Sequence, residues 1–266
     1  MCDGRGLRWG RPLVTVATRD VTVALTATRS ASASSAAPAG DGRPRPFSFA
    51  SGPDGFVADF SDYSPGQEIG DIGIRFVSEV RRLPEPLATR TGYFLAATNR
   101  SDDVFMYIWR PVTGLVAGQR YRVAVDFTFA TNVPPNCVGI GGSPGEGVAL
   151  KAGASAREPV KSVVNSRVQL SVDKSNQQAS GRELINVGSF AGGGGGCTDN
   201  QGIYQLKTLS TANPAQRPGL TPPPLDALLV TADPQGRLWI VIGTDSGFEG
   251  RTEIYFLEGI ATFTPA

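Results

Sequence analysis

The sequence predicts an all-β fold, a two-sheet antiparallel β-sandwich of jelly-roll type, and three observations carry that prediction. From Phe47 onward, short runs rich in β-formers follow one another, and no long stretch keeps a helical period. The 33 glycines and 20 prolines gather at the joints between those runs, and helix interiors would not tolerate them. No repeat of fixed period appears, which argues against a propeller or a solenoid.

The runs are read in order. They begin with 72-IGIRFVSEV-80, 92-GYFLAAT-98, 104-VFMYIWR-110 and 119-QRYRVAVDFTFAT-131. The last alternates most cleanly, with Tyr121, Val123, Val125, Phe127 and Phe129 on one face and Arg120, Arg122, Asp126 and Thr128 on the other. There follow 147-GVALKAG-153, 166-SRVQLSV-172, 183-ELINVGS-189, 203-IYQLKTL-209, 227-ALLVTA-232, 237-RLWIVIG-243 and 252-TEIYFLEGIATF-263. About ten or more strands over 47–266 suit one sandwich domain.

Two of these strands are apolar on both faces. In 104–110, Phe105, Tyr107 and Trp109 oppose Val104, Met106 and Ile108; in 238–242, Trp239 and Val241 oppose Leu238, Ile240 and Ile242. A sandwich strand ordinarily wets one face, so here the outer face is either covered by chain or receives a ligand. As a ligand face it would be an aromatic platform for sugar rings, with Tyr107, Trp109 and Trp239 stacking and Asp102, Asp103 and Arg110 bonding hydroxyls at the rim.

Residues 1–46 read differently. Scattered arginines, the short apolar VTVALTA and the small-residue SASASSAAPA imitate a signal peptide, but Arg19 and Asp20 interrupt the apolar part. The segment is expected to be disordered or removed, as a degenerate leader or as the result of a start placed upstream of the true one. Seven arginines against three aspartates give it +4. The remainder, 18 basic against 21 acidic groups, stands at −3, which offers no footprint for a phosphate backbone, so no nucleic-acid partner is expected. No run reaches the roughly 18 apolar residues of a transmembrane helix.

Composition excludes several chemistries outright. The chain has no histidine, so imidazole bases, Ser-His or Cys-His nucleophile pairs and His-ligated metals are impossible. Three cysteines are too few for a four-thiolate zinc site. Cys137 and Cys197 sit beside loops, and a disulfide between them would point to an oxidising compartment; two free thiols are the alternative. The Gly-rich 139-GIGGSPGEGVALKAG-153 lacks the Lys-Ser/Thr ending of a phosphate loop and reads as a turn entering a strand. Asn99-Arg100-Ser101 matches a glycosylation sequon by pattern alone.

The stretch 243-GTDSGFEGRTEIYF-256 sets Asp245, Glu249 and three glycines between apolar runs. It reads first as a hairpin, with Asp245 making an Asx-type turn and Gly247 and Gly250 supplying positive φ. Its second reading is a Ca²⁺ loop using Asp245 and Glu249, since Ca²⁺ accepts irregular oxygen ligands. Asp59 and Asp62 form a further carboxylate pair whose separation the sequence does not give.

NRSDDVFMYIWRPVTGL, DFTFATNVPPNCVGIGGSPGEGVALKAGA, VDKSNQQ and GRLWIVIGTDSGFEGRTEIYF together resemble a group of bacterial exported β-sandwich proteins of unassigned function, over about residues 47–264. VTGLVAGQRYRVAVDF is similar to the turn-and-strand opening of carbohydrate-binding and adhesion sandwiches. The resemblance implies a sandwich outside the cytoplasm and no particular reaction. The function expected is therefore a secreted or envelope binding module, non-catalytic, with polysaccharide as partner. A His-independent polysaccharide lyase or hydrolase, and a structural or adhesive envelope protein without a small ligand, are the alternatives.

Overall fold

A computed structural model describes residues 43–68, 73–100, 103–198, 201–213 and 220–266. The expected leader-like segment lies outside the described residues as far as residue 42. Two antiparallel sheets pack face to face, as the alternation predicts. One is built on β13 (Gln205–Ser210), β6 (Arg120–Thr131), β16 (Arg251–Pro265), β4 (Thr91–Thr98) and β3 (Val77–Arg82), in that order. Two short strands extend it: β1 (Arg45–Ser48) pairs with β16, and β14 (Leu229–Thr231) pairs with β6. The other sheet runs β10 (Leu184–Ser189), β7 (Val148–Ser155), β15 (Leu238–Ser246), β5 (Val104–Val112) and β2 (Val57–Ser61).

The chain crosses between the sheets from β4 to β5, from β5 to β6 and from β6 to β7, as a jelly roll requires. Among the described residues no helix is long and apolar enough to cross a membrane. Strand β1 begins at Arg45, and Arg45 and Pro46 pair with Ala261 and Ile260 of β16.

The core lies between the sheets. Tyr121, Val123, Val125, Phe127 and Phe129 are buried on the inner face of β6, against Leu150 and Ala152 of β7, Met106 and Ile108 of β5 and Ile240 and Ile242 of β15. The opposite face of β6 presents exposed Arg120, Arg122 and Asp126. Tyr121 also accepts a hydrogen bond at its hydroxyl from Val116 N at 2.9 Å, which pins the turn before the strand.

The segment 243–256 is not a hairpin within one sheet. Strand β15 continues through Ser246, and residues 247–250 carry the chain across to β16 in the other sheet. Neither Gly247 nor Gly250 takes a positive φ. The link is held from outside instead: Asn99 Nδ2 donates to Ser246 O at 2.8 Å and Phe248 O at 3.0 Å, and Glu249 N donates to Ile140 O at 2.8 Å. Asn99 of the sequon is 3% exposed, its amide spent on this link.

Covering chain settles the two-faced strands. A hairpin of β8 (Lys161–Val164) and β9 (Arg167–Leu170) turns at Asn165 and Ser166, both at positive φ, 50° and 62°. It is tied to the sheet edge through Tyr63 and Val168, whose backbones bridge, with Asp62 N donating to Val168 O at 2.7 Å. With the chain that follows, it lays Leu170 and Val172 over Phe105, Tyr107 and Val241, with Leu184 of β10 in the same cluster.

Candidate functional site

The outer face of the five-stranded sheet can be read row by row from its register. Across β7, β15, β5 and β2, Gly153, Val241, Trp109 and Val57 form one row. Lys151, Gly243, Tyr107 and Asp59 form the next, and Ala149, Asp245, Phe105 and Ser61 the one after. Trp239 lies beyond the first of these rows, opposite Pro111 and Ser155. The rows thus pass from aromatic to charged along the strands.

The predicted stacking aromatics share this face, but chain covers most of them. Tyr107 is 1% exposed and Trp239 6%, whereas Trp109 is half-buried. The Arg237 guanidinium carbon sits 5.1 Å from the centre of the Trp239 ring. Burial pushes the Tyr107 hydroxyl well above the ordinary phenol range, and Asp59 and Asp62 add to it, so the group stays neutral. Arg110 is held by the fold: it donates to Asp54 Oδ2 at 3.0 Å and Pro46 O at 3.1 Å, and its guanidinium carbon lies 5.0 Å from the centre of the Phe56 ring. Asp102 lies outside the described residues.

Asp103 opens onto a different feature. At the charged end of the face, Asp62, Asp103 and Asp245 bring carboxylate oxygens within 4.8 Å of one another. Two ammonium groups enter the same space. Lys151 Nζ lies 2.9 Å from Asp245 Oδ2, with both side chains 0% exposed. Lys174 Nζ lies 2.9 Å from the same oxygen and 2.5 Å from Asp62 Oδ2. Arg167 Nη2 donates to Asp62 O at 2.7 Å and lies 3.4 Å from Asp103 Oδ2. Three carboxylates thus meet three cations, and the cluster can balance internally.

The pKa directions follow from burial and these partners. Burial raises Asp103 to about 7, with the Asp245 charge adding to the rise. Burial likewise raises Asp62, against the pull of Lys174. Burial works against the charge of Lys174, but the Asp245 and Asp62 carboxylates outweigh it and hold the ammonium above the ordinary lysine range. Lys151 moves the other way, lowered by burial with the Lys174 charge adding to the fall, only partly offset by Asp245. Burial also opposes the Asp245 charge, and the two lysines hold that group low. Lys151 is the member of the pair pressed toward neutrality, by its burial first and then by the second ammonium at the same carboxylate.

The Ca²⁺ reading of Asp245 and Glu249 must be set against this arrangement. Asp245 sits inside the sheet in contact with two lysines, and a divalent ion there would have to displace an ammonium. Glu249 is exposed in the inter-sheet link and lines a hollow of about 690 Å³ above the Cys137–Cys197 disulfide, with Val138, Ile140 and Arg251. That disulfide is formed, its Cα atoms 5.4 Å apart across 60 residues of chain.

A site that the sequence does not mark lies on the seven-stranded sheet, where β1 meets β16 and β6. An open groove of about 640 Å³ runs there over Phe47, Gly259 and exposed Ile260. Its walls carry Asp54, Asp126 and Glu258 as carboxylates, and Ser48, Thr128 and Thr208 as hydroxyls. Among the described residues no lysine or arginine lines it, and Arg110 pairs with Asp54 Oδ2 at 3.0 Å. The Thr128 and Thr208 hydroxyl oxygens are 2.8 Å apart across β6 and β13. The groove brings together residues 46–48, 126–128, 208 and 258–260, which only strand pairing makes neighbours.

No protein-family model matches the chain, and no curated protein matches it. Among solved structures, a carbohydrate-binding module studied for mannan recognition is 10% identical, with 84% of this chain and 99% of that chain covered at a TM-score of 0.33. A carbohydrate-binding module of the β-sandwich superfamily, studied for promiscuous specificity, is 11% identical over 76% of this chain, at 0.31. The match takes in 54% of that module's chain, so the present chain spans about half its length. The enzymatically active domain of a bacteriophage CBA120 tailspike is 10% identical over 77% of this chain and 19% of that one, at 0.32.

Proposed function

We propose that this chain is an exported β-sandwich that binds neutral carbohydrate without transforming it, and that the groove between β1, β6 and β16 is its binding surface. The carrying observation is the chemistry of that groove: an apolar floor beneath three carboxylates, of which Asp54 is paired with Arg110, and three hydroxyls, with no cation among the described lining residues. A sugar ring presents C–H faces to such a floor and many hydroxyl donors to such walls. Carboxylates accept those donors in charge-assisted bonds, each worth about 1.5–3 kcal/mol. A phosphorylated, sulfated or uronic ligand would meet the Asp126 and Glu258 carboxylates instead, with Asp54 already paired to Arg110. The volume falls in the range of about 300–1,000 Å³ usual for small-ligand sites. The disulfide supports export, because such bonds persist outside the reducing cytosol.

Binding of a panel of neutral oligosaccharides by calorimetry tests the reading. Asp126→Ala and Glu258→Ala are both exposed changes and should each weaken binding about tenfold, for roughly 1.4 kcal/mol lost. Trp109→Ala should leave affinity unchanged. If Trp109→Ala abolishes binding while the groove variants keep it, the surface belongs on the five-stranded sheet. Release of reducing ends from a bound polysaccharide would favour the hydrolase or lyase alternative.

A further inference from the structure

The buried lysine–aspartate pair on β7 and β15 lies outside the proposed binding surface, and its geometry exceeds what an ion pair needs. Lys151 and Asp245 are diagonal neighbours on one face, since Lys151 opposes Gly243 and Asp245 opposes Ala149. Gly243 leaves lateral space for the lysine stem, and the Phe105 ring fills the remainder: a Cβ at Gly243 would meet that ring at 2.7 Å. Lys151 Nζ donates to Lys174 O at 2.7 Å and lies 2.9 Å from Asp245 Oδ2. Lys174 Nζ donates to the same Oδ2 at 2.9 Å. Asp245 Oδ1 is buried with no hydrogen-bond partner among the described residues.

We propose that Lys151 and Asp245 condense spontaneously to an intramolecular isopeptide bond between Nζ and Cγ, which clamps β7 to β15. Lys151 passes one proton to Asp245, so that a neutral amine faces a neutral carboxylic acid. The nitrogen adds to Cγ, a second proton moves from nitrogen to the departing oxygen, the Cγ–O bond breaks, and one water leaves. No oxidant or co-reactant enters the balance. The two lysines hold Asp245 low and so oppose the first transfer, while the neighbouring groups suit the later steps. Burial and the Lys174 charge favour the free amine. The Lys174 ammonium stabilises negative charge as it develops on Oδ2. Asp103 has an oxygen within 4.8 Å of the other two carboxylates, the span of a relay through one water. The cavity of about 620 Å³ lined by Asp62, Asp103 and Lys174 gives the water an exit. The product amide keeps both existing contacts, its N–H donating to Lys174 O and its oxygen accepting from Lys174 Nζ.

Peptide mass spectrometry of the reduced, denatured full chain after trypsin tests this. The expected result is residues 238–251 joined to residues 123–157, with Lys151 uncleaved and the sum of the two masses reduced by one water. In Lys151→Met and Asp245→Ala the joined species should vanish. Linear 123–151 and linear 238–251 of unmodified mass would overturn the proposal. So would a 238–251 peptide that has lost water without a partner, which marks a succinimide. The wild-type digest decides by itself, even where a variant fails to fold.

Discussion

At the scale of single residues, Asp103 is the group whose protonation the fold changes most visibly near neutral pH. Its pKa rises to about 7, chiefly through burial and then through Asp245, while the unfolded value stays near 3.8. A raised carboxyl favours the protonated fold. Its contribution to stability is therefore complete below the unfolded value and is lost as pH rises through 7. Asp62, also raised, acts with the same sign. The expected outcome is a melting temperature lower at pH 8 than at pH 6, by about 1 kcal/mol or 2–4 °C. Asp103→Asn should flatten that slope, and a slope unchanged in the variant would place its origin elsewhere. Nothing in the sequence around Asp103 announces this. Lys151, Lys174 and Asp62 sit in three separate segments, and the cluster exists only because β7, β15 and the chain after β9 converge.

At the scale of elements, alternation made most strands legible. A clean period-two run such as β6 emerges within a residue of its predicted bounds, because one of its faces is buried and the other largely wet. Strand β8 gives no such signal, since all four of its residues are exposed and its partner is β9 alone. The double-sided apolar strands β5 and β15 imply either covering chain or a ligand on the outer face. What the sequence could not specify was that the β8–β9 hairpin and its neighbours supply the cover over Phe105, Tyr107 and Val241. The 243–256 stretch misled for a related reason. Glycine-rich turns look alike whether they return to the same sheet or cross to the other, and the difference lies in long-range pairing.

The Cys137–Cys197 bond, by contrast, joins two loops that the sequence already marked as turns. It closes a loop of 60 residues and should contribute on the order of 4 kcal/mol in the chain-entropy account. Reduction should thus lower the melting temperature by roughly 8–16 °C. Calorimetry with and without reductant checks this, and an unchanged transition would contradict it.

At the scale of the whole molecule, fold and site differ in how far a sequence can reveal them. The sandwich follows from local periodicity, repeated strand after strand, and from the punctuation of glycine and proline. The groove follows from pairings between residues about 80 and 130 positions apart, Thr128 with Thr208 and Thr128 with Glu258. Its walls are ordinary exposed acids and hydroxyls in their own segments, and only the sheet aligns them. Aromatic residues drew attention to the other sheet because their size is visible in the sequence, whereas the chain that covers them is not. The most direct test maps amide chemical shifts while a neutral oligosaccharide is titrated in. Shifts concentrated at residues 46–48, 126–128 and 258–260 are predicted; shifts confined to Trp109, Trp239 and their neighbours, with the groove silent, would contradict the account.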